Sequence, residues 1–332
     1  MKITSKLLAY CVVATMPAIA SFSTTALAQT TVKVGWTTAD SASDPYAMGA
    51  HAFKTAIEKA SNGSIKVELY PNRQLGDEKQ MLEGLRFGTV DAAVITNAVV
   101  AQIEPAFQLN DLPFLFADEQ HAYSMLDGEV GQTLAKKLDA KGIKVLGFME
   151  GGFRHMLNNK RPVSHPADVK GVKYRVMQNP VFIDMFDSLG GSAVPMAWGE
   201  TFTAVQQGTI DGLEIPLAVV TGNKFYEITK YLSLTGHSYS TNILLMSKRA
   251  FNKLTPEQQT MVVEAAKQAT AEQRKVNVAN TQKLVAETEK NGMTVNRVGD
   301  TAEFRKAVEP IYAKYRKQIG GDLMDAALKS AK

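Results

Sequence analysis

Arg175 lies in Gly171-Val-Lys-Tyr-Arg-Val-Met-Gln178, where Val172, Tyr174 and Val176 alternate along one face of a period-two element. Lys173, Arg175 and Met177 share the other face. Such an arginine is either a solvated surface charge or a guanidinium waiting for an anion, and spacing alone leaves both readings open. Arg154 follows Gly151-Gly152-Phe153. Two glycines there let the backbone turn sharply and approach a ligand closely. The carboxyl ends of strands line the crevice of open parallel sheets, so Arg154 either faces that crevice or sits in a solvated loop. By the same rule, strand ends deliver Thr37 and Thr38, and Thr96 and Asn97. Trp198, in Pro-Met-Ala-Trp-Gly-Glu, is a core ring or a stacking surface.

Other chemistry has no sequence support. There is no GxGxxG after a strand, no GxxxxGK[ST], no HExxH and no GxSxG. Histidines 51, 121, 155, 165 and 237 form no i, i+4 pair for zinc, and Ser192 lacks the glycine pattern of a nucleophile elbow. No cofactor and no metal site is expected.

The elements that must position these residues alternate between strand-like and helix-like, the pattern of an α/β protein with largely parallel sheets. Strands are expected at 31–38, 64–71, 90–96, 144–150, 172–178 and 242–247. Helices are expected through 47–61, ending at Asn62-Gly63, and over 77–88, with acidic Asp77 and Glu78 at the start. From Glu257 to about Asn291 there is neither proline nor glycine, and apolar residues recur at 262, 265, 266, 269, 276 and 279. One helix of that length would extend roughly 50 Å and cross more than one lobe.

Residues 1–28 read as a secretory signal: Lys2 and Lys6, the apolar run 7–20 interrupted by Pro17, then Ala26-Leu27-Ala28. That run is too short to span a bilayer, and no later stretch approaches 18 apolar residues. The one cysteine, Cys11, falls inside it, so the mature chain has no thiol or disulfide. Removing 28 of 332 residues leaves 304, enough for two substantial cores. Without Lys2 and Lys6, the 37 basic residues become 35 against 33 acidic, with no basic tract. Nucleic-acid binding is excluded on that basis, and direct membrane insertion by the want of a long apolar stretch.

Five blocks carry a resemblance: residues 69–91 (LYPNRQLGDEKQMLEGLRFGTVD), 111–116 (DLPFLF), 152–163 (GFRHMLNNKRPV), 168–176 (DVKGVKYRV) and the stretches within 200–237 beginning ETFTAVQQGTIDGLEIP and KFYEITKYL. In this order they resemble the extracytoplasmic solute receptors of tripartite ATP-independent periplasmic (TRAP) transporters, the DctP type, over essentially the whole mature chain. The resemblance implies a two-lobed periplasmic binding protein fold, α/β, with a hinged cleft and a long helix across both lobes. It implies lobe one at 29–151 plus about 241–280, and lobe two at 152–240 plus about 281–332. The family's carboxylate-binding arginine corresponds to Arg175, its G-x-R arginine to Arg154, and its cleft aromatic to Trp198. Thr37, Glu78, Thr96 and Asn97 correspond to first-lobe positions lining the cleft. A guanidinium suits a carboxylate because two parallel charge-assisted bonds fix orientation as well as affinity.

One position departs from the pattern. The family commonly reads D-G-x-E-N-P, with the asparagine helping to bind the carboxylate; here Ile215 replaces it and cannot hydrogen-bond through its side chain. A less polar acid, or a compensating donor such as Asn97 or Gln178, is expected. The resemblance implies a periplasmic receptor that captures a small organic acid, a sugar acid among them. It would deliver the acid, chemically unchanged, to small and large TRAP membrane subunits for ion-gradient-driven import. The competing reading is a secreted α/β enzyme anchoring a carboxylated substrate on Arg175; a weaker third is a receptor that feeds signalling.

Overall fold

The computed structural model describes residues 29–330, so the expected signal segment and Cys11 lie outside the described residues. Nine strands form one sheet: β1 (Thr30–Gly35), β2 (Ile65–Tyr70), β3 (Ala92–Thr96), β4 (Ile143–Asn158), β5 (Lys173–Val176), β6 (Ser192–Pro195), β7 (Gly212–Pro216), β8 (Tyr231–Ser247) and β9 (Thr294–Arg297). Their order is β2-β1-β3-β8-β4-β7-β5-β6, with β9 also paired to β8. Each flank is parallel, as the alternation of strands and helices requires. The centre is not: β8 runs antiparallel to β3 and β4, and β4 antiparallel to β7. The largely parallel expectation therefore holds for the flanks and fails at the centre.

Strands β4 and β8 are far longer than the segments 144–150 and 242–247 suggest, because each serves both flanks. The sharp turn expected at Gly151-Gly152 is absent. Strand β4 runs through both glycines, and its register against β8 shifts between Glu150 and Gly152. A bulge of this kind bends the strand without ending it. Gly152 takes φ 98°, open to glycine and strained for other residues. A Cβ on Gly151 would lie 2.8 Å from the Ser240 carbonyl oxygen, so only glycine lets β4 and β8 meet there.

The long helix spans Pro256–Lys290, 35 residues. Thr255 and Gln258 close a capping box at its start, and Asn291-Gly292 ends it, with Gly292 at φ 93°. Its first half buries Val262, Ala265, Ala266 and Ala269 with Val34, Phe53 and Ile57 on one side of the molecule. Its second half buries Leu284 and Val285 with Leu213, Leu217 and Phe225 on the other. Each valine, leucine, isoleucine or phenylalanine among them contributes about 1.5–3 kcal/mol when fully buried, and each alanine less. Between the two apolar stretches the helix is polar and tied to β4. The Gln273 amide accepts from Glu150 N at 2.9 Å and donates to Glu150 O at 2.7 Å. Arg274 donates to Phe148 O at 2.6 Å and forms a bidentate pair with Asp127. A third core packs Phe107, Phe148, Phe182 and Phe186 with Tyr315 of the helix Pro310–Ile319.

Candidate functional site

Where β4, β5, β7 and β8 come closest to the helices Pro45–Ala60 and Glu78–Phe87, a small and nearly filled cavity lies between the side chains. Thr37, Thr38, Tyr46, Glu78, Arg154, Arg175, Met177, Trp198, Ile215, Ser240 and Asn242 line it. A larger cavity lies across β4 and shares Gly151 with the first. The smaller one is the candidate site because both buried guanidiniums reach it.

Arg175 is 2 % exposed, which removes the solvated-charge reading. Along β5, Tyr174, Arg175 and Val176 are buried, and only Lys173 at the strand's start is exposed. The Arg175 Nε and Nη2 donate to the Met196 carbonyl at 3.0 and 2.8 Å, and Nη1 contacts the Met177 sulfur at 3.4 Å. Among the described residues no carboxylate is ion-paired with it. Burial lowers its pKa to about 10, and the charges of Glu214 and Glu78 only partly restore it. At neutral pH it remains a buried cation whose desolvation is incompletely compensated. Its guanidinium carbon lies 6.0 Å from the Trp198 ring centroid, within cation–π range.

Arg154 is equally buried but differently partnered. Its Nε and Nη2 reach the Glu214 carboxylate at 2.5 and 2.7 Å, Nη2 reaches Glu214 O at 2.6 Å, and Nη1 reaches Ser240 Oγ at 3.3 Å. Burial opposes the Arg154 charge, but Glu214 outweighs it and the pKa is raised. Burial likewise opposes the Glu214 charge, yet Arg154 and His237 hold that carboxylate below its usual range. Arg154 is thus a strand residue on the cavity wall with its fork closed by a protein acid, not a loop arginine. Sequence reading missed Glu214; its signal was an acid inside the apolar run Gly-Leu-Glu-Ile-Pro of β7.

Glu78 opens the helix Glu78–Phe87 and accepts from Thr96 N at 2.8 Å. Burial raises its pKa to about 7 against the opposing pull of that N–H and of Arg175. Thr37 and Ile215 line the cavity, and Trp198 packs against Phe225 with ring centroids 5.4 Å apart. Other expected residues are not brought to this cavity. Thr96 stands behind Glu78. The Asn97 amide is held by Phe107 O and Asn110, both at 2.8 Å. Gln178 is exposed, and its carbonyl accepts from Gln102. Neither Asn97 nor Gln178 is placed as the donor that Ile215 lacks. Sequence reading also passed over Tyr46, Ser240 and Asn242, whose strand and helix faces reach the cavity.

Near this cavity the two flanks are joined. Asn223, capping the helix Leu217–Gly222, accepts from Ala39 N at 3.0 Å and donates to Asp44 Oδ2 at 2.9 Å. Asp44 in turn caps the helix Pro45–Ala60 through Tyr46 N and Ala47 N. Among the described residues no group of three or more His, Cys, Asp or Glu side chains is placed to hold a metal ion. Nor is any described helix long and apolar enough to cross a membrane.

Residues 37–318 match the model of bacterial extracellular solute-binding protein family 7, DctP. The chain belongs to that family. A solute-binding protein of Verminephrobacter eiseniae is 40% identical over 296 residues, 89% of this chain and 88% of the relative. A TRAP periplasmic solute-binding protein from Polaromonas sp. JS666, bound to D-erythronate, superposes with TM-score 0.87 at 39% identity, covering 90% of this chain and 98% of that one. The sugar acid binding protein DctPAm from Advenella mimigardefordensis, in complex with galactonate, also gives 0.87, at 33% identity, with 91% and 98% covered. The receptor has the two-lobed α/β fold of these TRAP solute-binding proteins, with its long helix running behind both lobes. DctP proteins are extracytoplasmic solute receptors, transport components and not enzymes, so the reading as a secreted enzyme is set aside.

Proposed function

We propose that this receptor binds a small sugar acid in the periplasm, with Arg175 as the clamp for its carboxylate. The observation that carries the reading is a buried guanidinium on the cavity wall, held by a carbonyl and a sulfur but matched by no contacting acid. A carboxylate supplies the missing charge and, being planar and bidentate, suits the fork. Arg154, already neutralised by Glu214, then acts as a rigid wall that holds Ser240 in place. The sugar acids named for the Polaromonas and Advenella proteins support this ligand class.

The lobes divide at Gly151-Gly152 on β4 and near residue 240 on β8, giving lobe one at 29–151 plus about 241–280 and lobe two as the rest. Closure brings Asn223 against Asp44 and encloses the ligand between them, driven by contacts made only in the closed state. The segment 1–28 exports the chain, and the closed receptor passes its ligand to TRAP membrane subunits that use an ion gradient.

Calorimetry of the purified mature protein with an aldonate, and with the neutral sugar alcohol of the same chain length, tests the carboxylate requirement. The aldonate should bind and be recovered unchanged, and the alcohol should bind at least about a hundredfold more weakly, as expected when a buried charge loses its partner. Equal binding of the two, or conversion of the aldonate, would overturn the reading.

A further inference from the structure

Asn242 lies in the middle of β8, opposite Met149 of β4 and Thr96 of β3, so its backbone is fixed on both sides. Side chains alternate along a strand, which places Ser238, Ser240 and Asn242 on one face. Asn242 is 0 % exposed and lines the same cavity as Arg175. Neither its Oδ1 nor its Nδ2 has a hydrogen-bond partner. Among the described residues it is the one side chain left with two buried polar atoms unpartnered, and no other unpartnered buried atom belongs to a residue of this cavity. Both atoms are free, so exchanging the amide oxygen and nitrogen would leave both ends unpartnered all the same.

Buried polar groups are nearly always satisfied, and a fold that retains one unpaired destabilises itself unless something else completes it. The group that completes a carboxamide must both donate and accept. A carboxylate only accepts, and a methylene does neither; a hydroxyl does both. We propose that Asn242 recognises a hydroxyl group on the carbon chain of the bound acid and thereby selects hydroxylated acids over plain ones. This rests on the carboxylate reading of Arg175 and adds to it the feature that distinguishes one acid from another. The Asn242 contact is to the carbon chain of the acid and leaves unreplaced the carboxylate contact that Ile215 on β7 cannot make.

The test is calorimetry of wild type, Asn242→Leu and Asn242→Ala with two six-carbon acids, galactonate and hexanoate. Two neutral hydrogen bonds correspond to roughly ten- to hundredfold in affinity. Both variants should lose about that factor for galactonate and change little for hexanoate relative to wild type. Ligand-free Asn242→Leu should melt no lower than wild type, since leucine fills the volume without an unpaired amide. Equal losses for both acids, undiminished galactonate binding, or a ligand-free Asn242→Leu that melts several degrees lower would each overturn the assignment. Wild type binding neither these acids nor any other aldonate would instead remove the carboxylate reading, and this inference with it.

Discussion

Glu78 and Arg175 face the same small cavity, and a bound carboxylate would lie within the field of both. With its pKa raised by burial to about 7, Glu78 is mostly anionic at pH 8 and mostly neutral at pH 6. An ionised Glu78 repels an anionic ligand, whereas a protonated one does not, so binding takes up a proton. Affinity should therefore rise as pH falls from 8 to 6, by no more than about tenfold per unit for one proton. Sugar acids remain ionised throughout that range. Calorimetry at several pH values checks this, and Glu78→Gln should flatten the profile; a wild-type profile that is already flat would show that Glu78 does not sense the ligand. The residue scale is also where sequence reading was least able to discriminate. Arg154 and Arg175 are the same residue type in neighbouring runs, yet one is closed by Glu214, 60 positions away in the chain. Pairing across that distance leaves no mark in local spacing. Asn97 was misplaced for the same reason, because its carbonyl partner, Phe107, belongs to a turn whose path no periodicity discloses.

Strands β4 and β8 and the long helix do the mechanical work of holding two flanks in one molecule. At the bulge, Gln273 satisfies both backbone groups of Glu150 and also donates to Pro45 O at 3.3 Å. Gln273→Ala should orphan a buried N–H and carbonyl and destabilise the fold by about 1–3 kcal/mol, measured by urea denaturation. It should also speed amide exchange at Glu150; unchanged stability together with unchanged exchange would mean that the helix does not pin the strand. The helix itself was legible in the sequence, since apolar residues recur at helical spacing and neither proline nor glycine interrupts the chain from Glu257 to Asn291. Strand β8 was legible only in its apolar end, 242–247. Its first part carries Gly236 and the polar Ser233, Thr235, His237, Ser238 and Ser240, which interrupt the apolar run and weaken the strand signature. Likewise Gly151-Gly152 mimicked a turn because glycine serves turns and bulges alike.

Across the whole molecule, the long helix and the paired centre of the sheet connect two cores, and the cavity lies where their polar surfaces converge. The family was legible because its blocks recur in order along the whole chain, and the two-lobed fold came with it. The polar lining of the cavity was not, since nothing in local spacing places Ser240 and Asn242 of β8 beside Ile215 of β7. In this account the ligand's charge is the part that the folded chain lacks, so removing the unmatched cation should abolish capture without harming the fold. The deciding measurement is calorimetry of Arg175→Ala and Arg175→Lys beside wild type, with an aldonate as ligand and a thermal melt of each ligand-free protein. Arg175→Ala should lose about 3–5 kcal/mol of binding, two to four decades in affinity, and melt no lower than wild type. Arg175→Lys should also bind more weakly, because an ammonium cannot reproduce the fork. Either variant binding the aldonate as tightly as wild type would contradict the account.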